Sequence, residues 1–156
     1  MIGSRTIIIW VIAPLLFPFL TYSQPNVYTF DQLDSLQQIS KRKLVVFIHT
    51  DWCKYCEAME NTSFRNKEVA RKLNDSFWFI KLNAESKEDI GFSGRVFRFK
   101  PSGVNTGTHE LAKELGTQHG KLSYPSLCIL NPNYQILFQY NQFLSADQLL
   151  EILEGI

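Results

Sequence analysis

The chain has 156 residues, 45% of them hydrophobic and 20% charged, which suffices for one good core and gives no reason to look for a second domain. Its formal net charge is +1, with acids and bases interleaved, so neither nucleic acid nor an anionic membrane surface is expected as a partner.

Arg5 precedes an apolar run from Ile7 to Leu20, and Thr21, Tyr22, Ser23 and Gln24 follow it. A basic start, a short hydrophobic stretch and small residues in that order predict a secretory signal peptide over 1–23, cleaved near Ser23 and Gln24. A spanning helix is the rival reading, but it needs roughly 20 apolar residues, and Pro14 and Pro18 interrupt this shorter run. No cysteine stands near the cleavage point to carry a lipid, so a soluble, exported, periplasmic protein is expected from residue 24 on.

Between Val27 and Ser40, Phe30, Leu33, Leu36 and Ile39 recur every three residues, and Thr29 with Gln32 makes a capping box, which predicts a first amphipathic helix. Leu44 to Ile48 is an unbroken apolar run with β-branched members, the pattern of a central strand buried on both faces. His49 to Met59 follows directly, with no helix breaker from Cys53 onward, so Cys53 and Cys56 fall at a strand-to-helix turn. Asn66 caps a second helical stretch in which Val69, Ala70 and Leu73 share a face, and Phe77 to Leu82 is a further strand, parallel to the first through a right-handed crossover. The stretch 85–107, with four glycines and Pro101, is irregular and is predicted as an insertion, with Val96 to Lys100 as a small added strand or hairpin arm. Thr108 is expected to cap a short helix over His109 to Leu115. Ser126 to Leu130 and Gln135 to Tyr140, joined by Asn131-Pro132-Asn133, form an antiparallel hairpin. Ser145 with Gln148 opens a last helix whose Leu149, Leu150, Ile152 and Leu153 cover the sheet.

Three cysteines leave one unpaired if two join, and the spacing singles out Cys53 and Cys56. A loop that tight staples a fold poorly, because a disulfide stabilises by closing long loops in the unfolded chain; the pair is therefore chemical. A thiolate is what attacks a disulfide, and the free N–H groups and dipole at a helix N-terminus favour it at Cys53, with Lys54 adding positive charge. Cys56 lies one turn on, at i+3 on the same face, where it can attack a mixed disulfide. Cys53 is thus the expected nucleophile and Cys56 the resolving thiol. Structural zinc would need four ligands, and no second CxxC or His pair accompanies the first, so no metal is expected, nor any flavin or nucleotide cofactor. His49 is read as a packed strand-end histidine, Cys128 as a core cysteine, and His109 and His119 as surface residues.

Trp52-Cys53-Lys54-Tyr55-Cys56 after a buried strand, with Tyr124-Pro125 ahead of a later one, resembles the thioredoxin superfamily over most of the chain. The run from Asp51 to Glu60, with Phe64 after it, is similar to bacterial exported thioredoxin-like proteins, including the periplasmic domain of the transmembrane disulfide reductase. The resemblance implies an α/β, thioredoxin-like three-layer fold, a central mixed sheet flanked by helices. It also implies a redox centre of Trp52, Cys53 and Cys56, with Lys54 and Tyr55 between the cysteines, a cis Pro125 facing them and Tyr124 presenting its backbone to a bound peptide. The activity it implies is thiol–disulfide exchange on protein substrates, with a lean toward reduction, served by a redox partner protein, a membrane-embedded one included; the chain itself is expected to be a monomer. Two departures stand out: Cys-Gly-Pro-Cys has become Cys-Lys-Tyr-Cys, and Phe47 occupies the place of the buried acid six residues before the first cysteine. Asp51, Glu57 and Glu60 are either substitutes for that acid or solvated charges. Phe92, Phe97 and Phe99 either line a substrate groove or anchor the insertion. A different class of function also fits the sequence, a binding or chaperone-like module with a passive disulfide.

Overall fold

The computed structural model describes residues 24–156, and the signal peptide expected over 1–23 lies outside them. In chain order the elements are β1 (Val27–Tyr28), a 3-10 turn (Phe30–Gln32), α1 (Leu33–Ile39), β2 (Lys43–His49), α2 (Lys54–Asn61), α3 (Lys67–Ser76) and β3 (Phe77–Asn83). After these come β4 (Ile90–Phe92), β5 (Arg95–Phe97), β6 (Phe99–Pro101), β7 (Gly107–His109), α4 (Glu110–Gly116), β8 (Ser126–Leu130), β9 (Ile136–Tyr140) and α5 (Ala146–Gly155).

Five strands make the main sheet in the order β1-β3-β2-β8-β9, with β2 at its centre. β2 runs parallel to β3 in the register Val45 to Phe79 and Phe47 to Lys81, and antiparallel to β8, pairing Val46 with Cys128 and Ile48 with Ser126. The period of two along a strand divides the core between the two faces. Leu44, Val46 and Ile48 point to one side, where Leu33, Trp78, Ile80, Leu111, Leu115 and Cys128 meet them. Val45 and Phe47 point to the other, against both cysteines, Met59, Phe64, Leu73, Phe79, Leu149 and Leu153. Helices therefore cover both faces, the mixed three-layer arrangement expected from the sequence.

Several local expectations need correction. Val27 and Tyr28 do not begin a helix but pair with Phe79 and Ile80 as an edge strand, and the Tyr28 ring stands edge-on to Trp78 at 5.1 Å. The helical turn starts after Thr29, whose N–H donates to Gln32 Oε1 at 3.0 Å, as the capping box requires. Ile39 is 80% exposed, while Gln37 is buried. The reason is geometric: four residues spaced by three on a helix of 3.6 per turn drift about 60° per step, so the last leaves the face of the first. Gln37 turns inward because its side chain closes on Arg42, accepting from the N–H at 3.1 Å and donating to the carbonyl at 2.9 Å.

The stretch 85–107 carries two antiparallel hairpins, β4 with β5 and β6 with β7, each pairing only within itself. Val96 to Lys100 is thus divided between arms of both. Ser93 and Gly94, at φ 52° and 73°, turn the first hairpin. Phe92 and Phe97 are buried with Phe30, at 8% and 4% exposure, and anchor this segment to the core, while Phe99 is half-buried. At Gly107 a Cβ would lie 2.5 Å from Lys100 O and against the Phe99 ring. Gly107→Ala is expected to cost about 1–3 kcal/mol by overpacking; an unchanged denaturation midpoint would contradict this close approach. His109 is a second correction: it is fully buried, caps α4 by accepting the Leu111 N–H at Nδ1 (3.2 Å), and bonds Glu88 O through Nε2 at 3.0 Å. Thr108 belongs to β7 and does not cap.

Candidate active site

Strand β2 ends at His49, and the chain turns through Thr50 to Trp52 before α2 begins. The turn is closed by the Cys53 N–H donating to Thr50 O at 3.2 Å. Cys53 occupies the N-cap in extended backbone (φ −80°, ψ 100°), and its sulfur accepts the Cys56 N–H at 3.1 Å. A sulfur in the place of a capping oxygen receives the orphan donors of the first turn, the environment that favours a thiolate over a thiol. Cys53 and Cys56 are joined as a disulfide with Cα atoms 5.2 Å apart, and both are buried, at 7% and 2% exposure.

Around this pair the remaining sequence-singled residues sort by exposure. Trp52 and Tyr55 stand out at 66% and 68%, and Lys54 is also exposed. The Tyr124–Pro125 peptide is cis, Tyr124 packs against the cluster holding both cysteines, and its ring meets Trp52 edge-on at 5.9 Å. Topology brings them together: β8 is antiparallel to β2, so the residues before β8 arrive at the sheet end where β2 gives way to α2. Cys128 sits in the middle of β8, fully buried on the opposite face, and burial pushes its thiol up to about 12, so it stays protonated and inert.

Of the three acids near the cysteines two are engaged elsewhere and the third is solvated. Asp51 accepts from Asn83 Nδ2 at 3.0 Å, Glu60 pairs with Lys81 at 2.6 Å, and Glu57 is exposed. Phe47 fills the ground beneath α2, fully buried, with Phe64 edge-on at 4.8 Å and His49 stacked on it at 5.8 Å. His49 is held below its ordinary pKa of 6.5, chiefly by burial and then by the Lys81 charge, against the opposing pull of Glu60 and Asp51. A histidine whose folded pKa is depressed resists a proton that the unfolded chain accepts. Its contribution is complete above pH 6.5 and is lost as pH falls from there through the folded value. His49→Gln is expected to narrow the gap in urea midpoint between pH 7.5 and pH 5; an identical gap would show that His49 does not carry it.

Sequence reasoning missed three contributors. Glu85, just past β3, accepts the Trp52 indole N–H at 3.0 Å and fixes the ring. The backbone of Thr50 closes the turn before Cys53. Asn141, Gln142 and Phe143, after β9, form a cleft with Tyr55, Tyr124 and Pro125. The signal for the last was present in the predicted β8–β9 hairpin, which returns the chain to the sheet end where the cysteines lie. Among the described residues no cluster of three or more His, Cys, Asp or Glu side chains is placed to hold a metal, and no helix is long and apolar enough to cross a membrane.

A family model described as "Thioredoxin-like domain" matches residues 30–156. In architecture the chain is similar to a thioredoxin from Thermus thermophilus, with a TM-score of 0.60 and 18% identity over 85% of this chain and 86% of that one. It is also similar to a structure named DsbH oxidoreductase, with a TM-score of 0.61 and 11% identity over 92% and 91% of the two chains. A curated relative, Spermatogenesis-associated protein 20 of Mus musculus, is 27% identical over 71 residues, which take in 44% of this chain and span only 9% of the length of that protein.

Proposed function

The chain belongs to the thioredoxin-like domain family, and from that premise we propose that it is a thiol–disulfide oxidoreductase that is exported to the periplasm and there reduces disulfides of protein substrates. The observation that carries the chemistry is the Cys53–Cys56 pair at the start of α2, with the Cys56 N–H directed at Cys53 Sγ. In the reduced protein, the Cys53 thiolate attacks one sulfur of a substrate disulfide; a Cys53–substrate bond forms, the substrate S–S bond breaks, and the departing thiolate takes up a proton. Cys56, as thiolate, then attacks Cys53 Sγ, releasing the second substrate thiol and closing the internal disulfide. Two electrons have passed to the substrate, and a reduced dithiol partner protein must return them.

Trp52, Lys54 and Tyr55 frame the nucleophile in this reading, and Tyr124 and Pro125 receive the substrate backbone across from it. The pair itself serves as the only redox group, with no metal or organic cofactor. Support for export comes from Arg5, the apolar run Ile7 to Leu20 and the small residues after it. Support for the reducing direction comes from the likeness of the Asp51 to Glu60 run to exported reductase domains. The deciding measurement is the reduction potential of Cys53/Cys56 by equilibration in defined thiol buffers, with Cys128 replaced. A value near about −270 mV marks an electron donor, whereas one near about −120 mV marks an oxidant and overturns the proposed direction.

A further inference from the structure

On the face of the sheet turned away from the cysteines there is a cavity of about 360 Å³ between the start of α1 and the β4–β5 hairpin, with Tyr134 from the β8–β9 turn on its third side. Its apolar wall is a run of rings: Phe92 meets Phe30 edge-on at 5.4 Å and Tyr134 at 4.8 Å. Tyr134 is held there in left-handed backbone, at φ 64°, which a residue with a bulky side chain rarely adopts. The rim is acidic. Asp31 and Asp34 both line the cavity and are exposed, and neither belongs to any of the ion pairs among the described residues. Burial, and after it the Asp34 charge, holds the Tyr134 phenol above its ordinary pKa, so that carboxylate lies within electrostatic reach of the ring. The one base of the lining, Arg95, is committed elsewhere, to Glu114 at 3.7 Å and over the Phe97 ring at 4.6 Å.

We propose that this cavity is a second binding site, for a small organic cation with an aromatic or compact aliphatic body, such as an arylalkylamine. The volume is at the lower end of the roughly 300–1,000 Å³ of ligand pockets, room for one small molecule. Charge complementarity sets the class of that molecule. A cation entering the cavity gains two carboxylates that have no ion-pair partner of their own, and the rings add a cation–π attraction that a neutral ligand would not feel. An anion of the same shape would meet two like charges and find the guanidinium already engaged. Acids at the start of a helix are ordinary in themselves; what commits these two to a ligand is the aromatic cavity they share. Because Cys53 and Cys56 pack on the other face of the sheet, the site stands or falls independently of the exchange reaction.

The test titrates 2-phenylethylammonium into the purified, oxidised protein in low-salt buffer and follows the Phe30, Phe92 and Tyr134 ring resonances by NMR. The anion 3-phenylpropionate, a similar body with the opposite charge, is run alongside. Saturable shifts at these rings, with a Kd below about 1 mM, are expected for the amine, and binding at least about tenfold weaker for the anion. Replacing both acids, Asp31→Asn with Asp34→Asn, should weaken the amine at least about tenfold, in spectra whose remaining amides match the parent. Asp147→Asn removes an exposed acid from the first turn of α5, on the other face, and should leave the affinity unchanged. Equal affinities for amine and anion, an affinity untouched by the double substitution, or shifts that do not saturate by about 10 mM would overturn the proposal. So would a Phe-Lys dipeptide blocked at both ends that binds more than about tenfold tighter than the amine, which would hand the cavity to a protein partner.

Discussion

A Cys56→Ser variant should attack disulfides normally and then fail to let go. With the resolving thiol gone, the Cys53–substrate bond formed in the first step has no internal nucleophile to break it, and covalent complexes accumulate. On non-reducing gels of extracts from cells that produce the variant they should appear as discrete bands that collapse with dithiothreitol. Cys53→Ser should form none, because a hydroxyl does not exchange with a disulfide, and both variants should reduce a protein disulfide at no more than the uncatalysed rate. Cys128→Ala should trap substrates in combination with Cys56→Ser as well as Cys56→Ser does alone, since the Cys128 thiol is buried and protonated. Should Cys56→Ser trap nothing while Cys53→Ser keeps its activity, the disulfide is passive and the fold serves as a binding module.

The second large effect is on stability. Phe47 is fully buried at the centre of the sheet's cysteine-bearing face, touching Phe64 and His49. Phe47→Ala removes a ring from a site closed by β2, α2 and the loop before α3, which leaves little scope for collapse, and should cost about 3–5 kcal/mol. That is a large share of the roughly 5–15 kcal/mol that holds a domain of this size together. The urea midpoint is expected to fall by at least about 1 M with an unchanged slope. Phe47→Asp, which restores an acid at this place, should be worse still, because the carboxylate enters an apolar cluster with no partner prepared for it, and its pKa should rise. A midpoint within about 0.3 M of the parent in Phe47→Ala would show that the ring is not packed as described.

The parts of this fold that were legible in the sequence are those in which local signals and long-range packing agree. Leu44 to Ile48 is apolar throughout because helices cover both of its faces, and the Asn66 and Ser145 caps are chemical signals confined to a single turn. The place of the cysteine pair was legible for the same reason, since Cys53 and Cys56 fall at the turn from that strand into α2. What escaped notice depends on residues remote in sequence. Val27–Tyr28 is a strand only because Phe79 and Ile80 lie alongside it. Glu85 matters because the fold carries it to Trp52, 33 residues away. His109 was misplaced because an imidazole nitrogen stands in for the usual Ser, Thr, Asp or Asn cap, and nothing in the neighbouring residues announces this.

At the base of the two hairpins between β3 and α4 the His109 N–H donates to Ala84 O at 2.7 Å, while the Ala84 N–H reaches back to His49 O at 2.8 Å. The points where the chain leaves the sheet and returns to it are therefore already joined, whatever lies between them. Doubling the length of such an excursion costs only about 0.6 kcal/mol in closure entropy. Its first residue, Glu85, holds Trp52. Evolution, or an engineer, thus has a socket next to the reactive sulfur into which recognition elements of different size can be spliced, while the five-stranded frame and the exchange chemistry stay as they are.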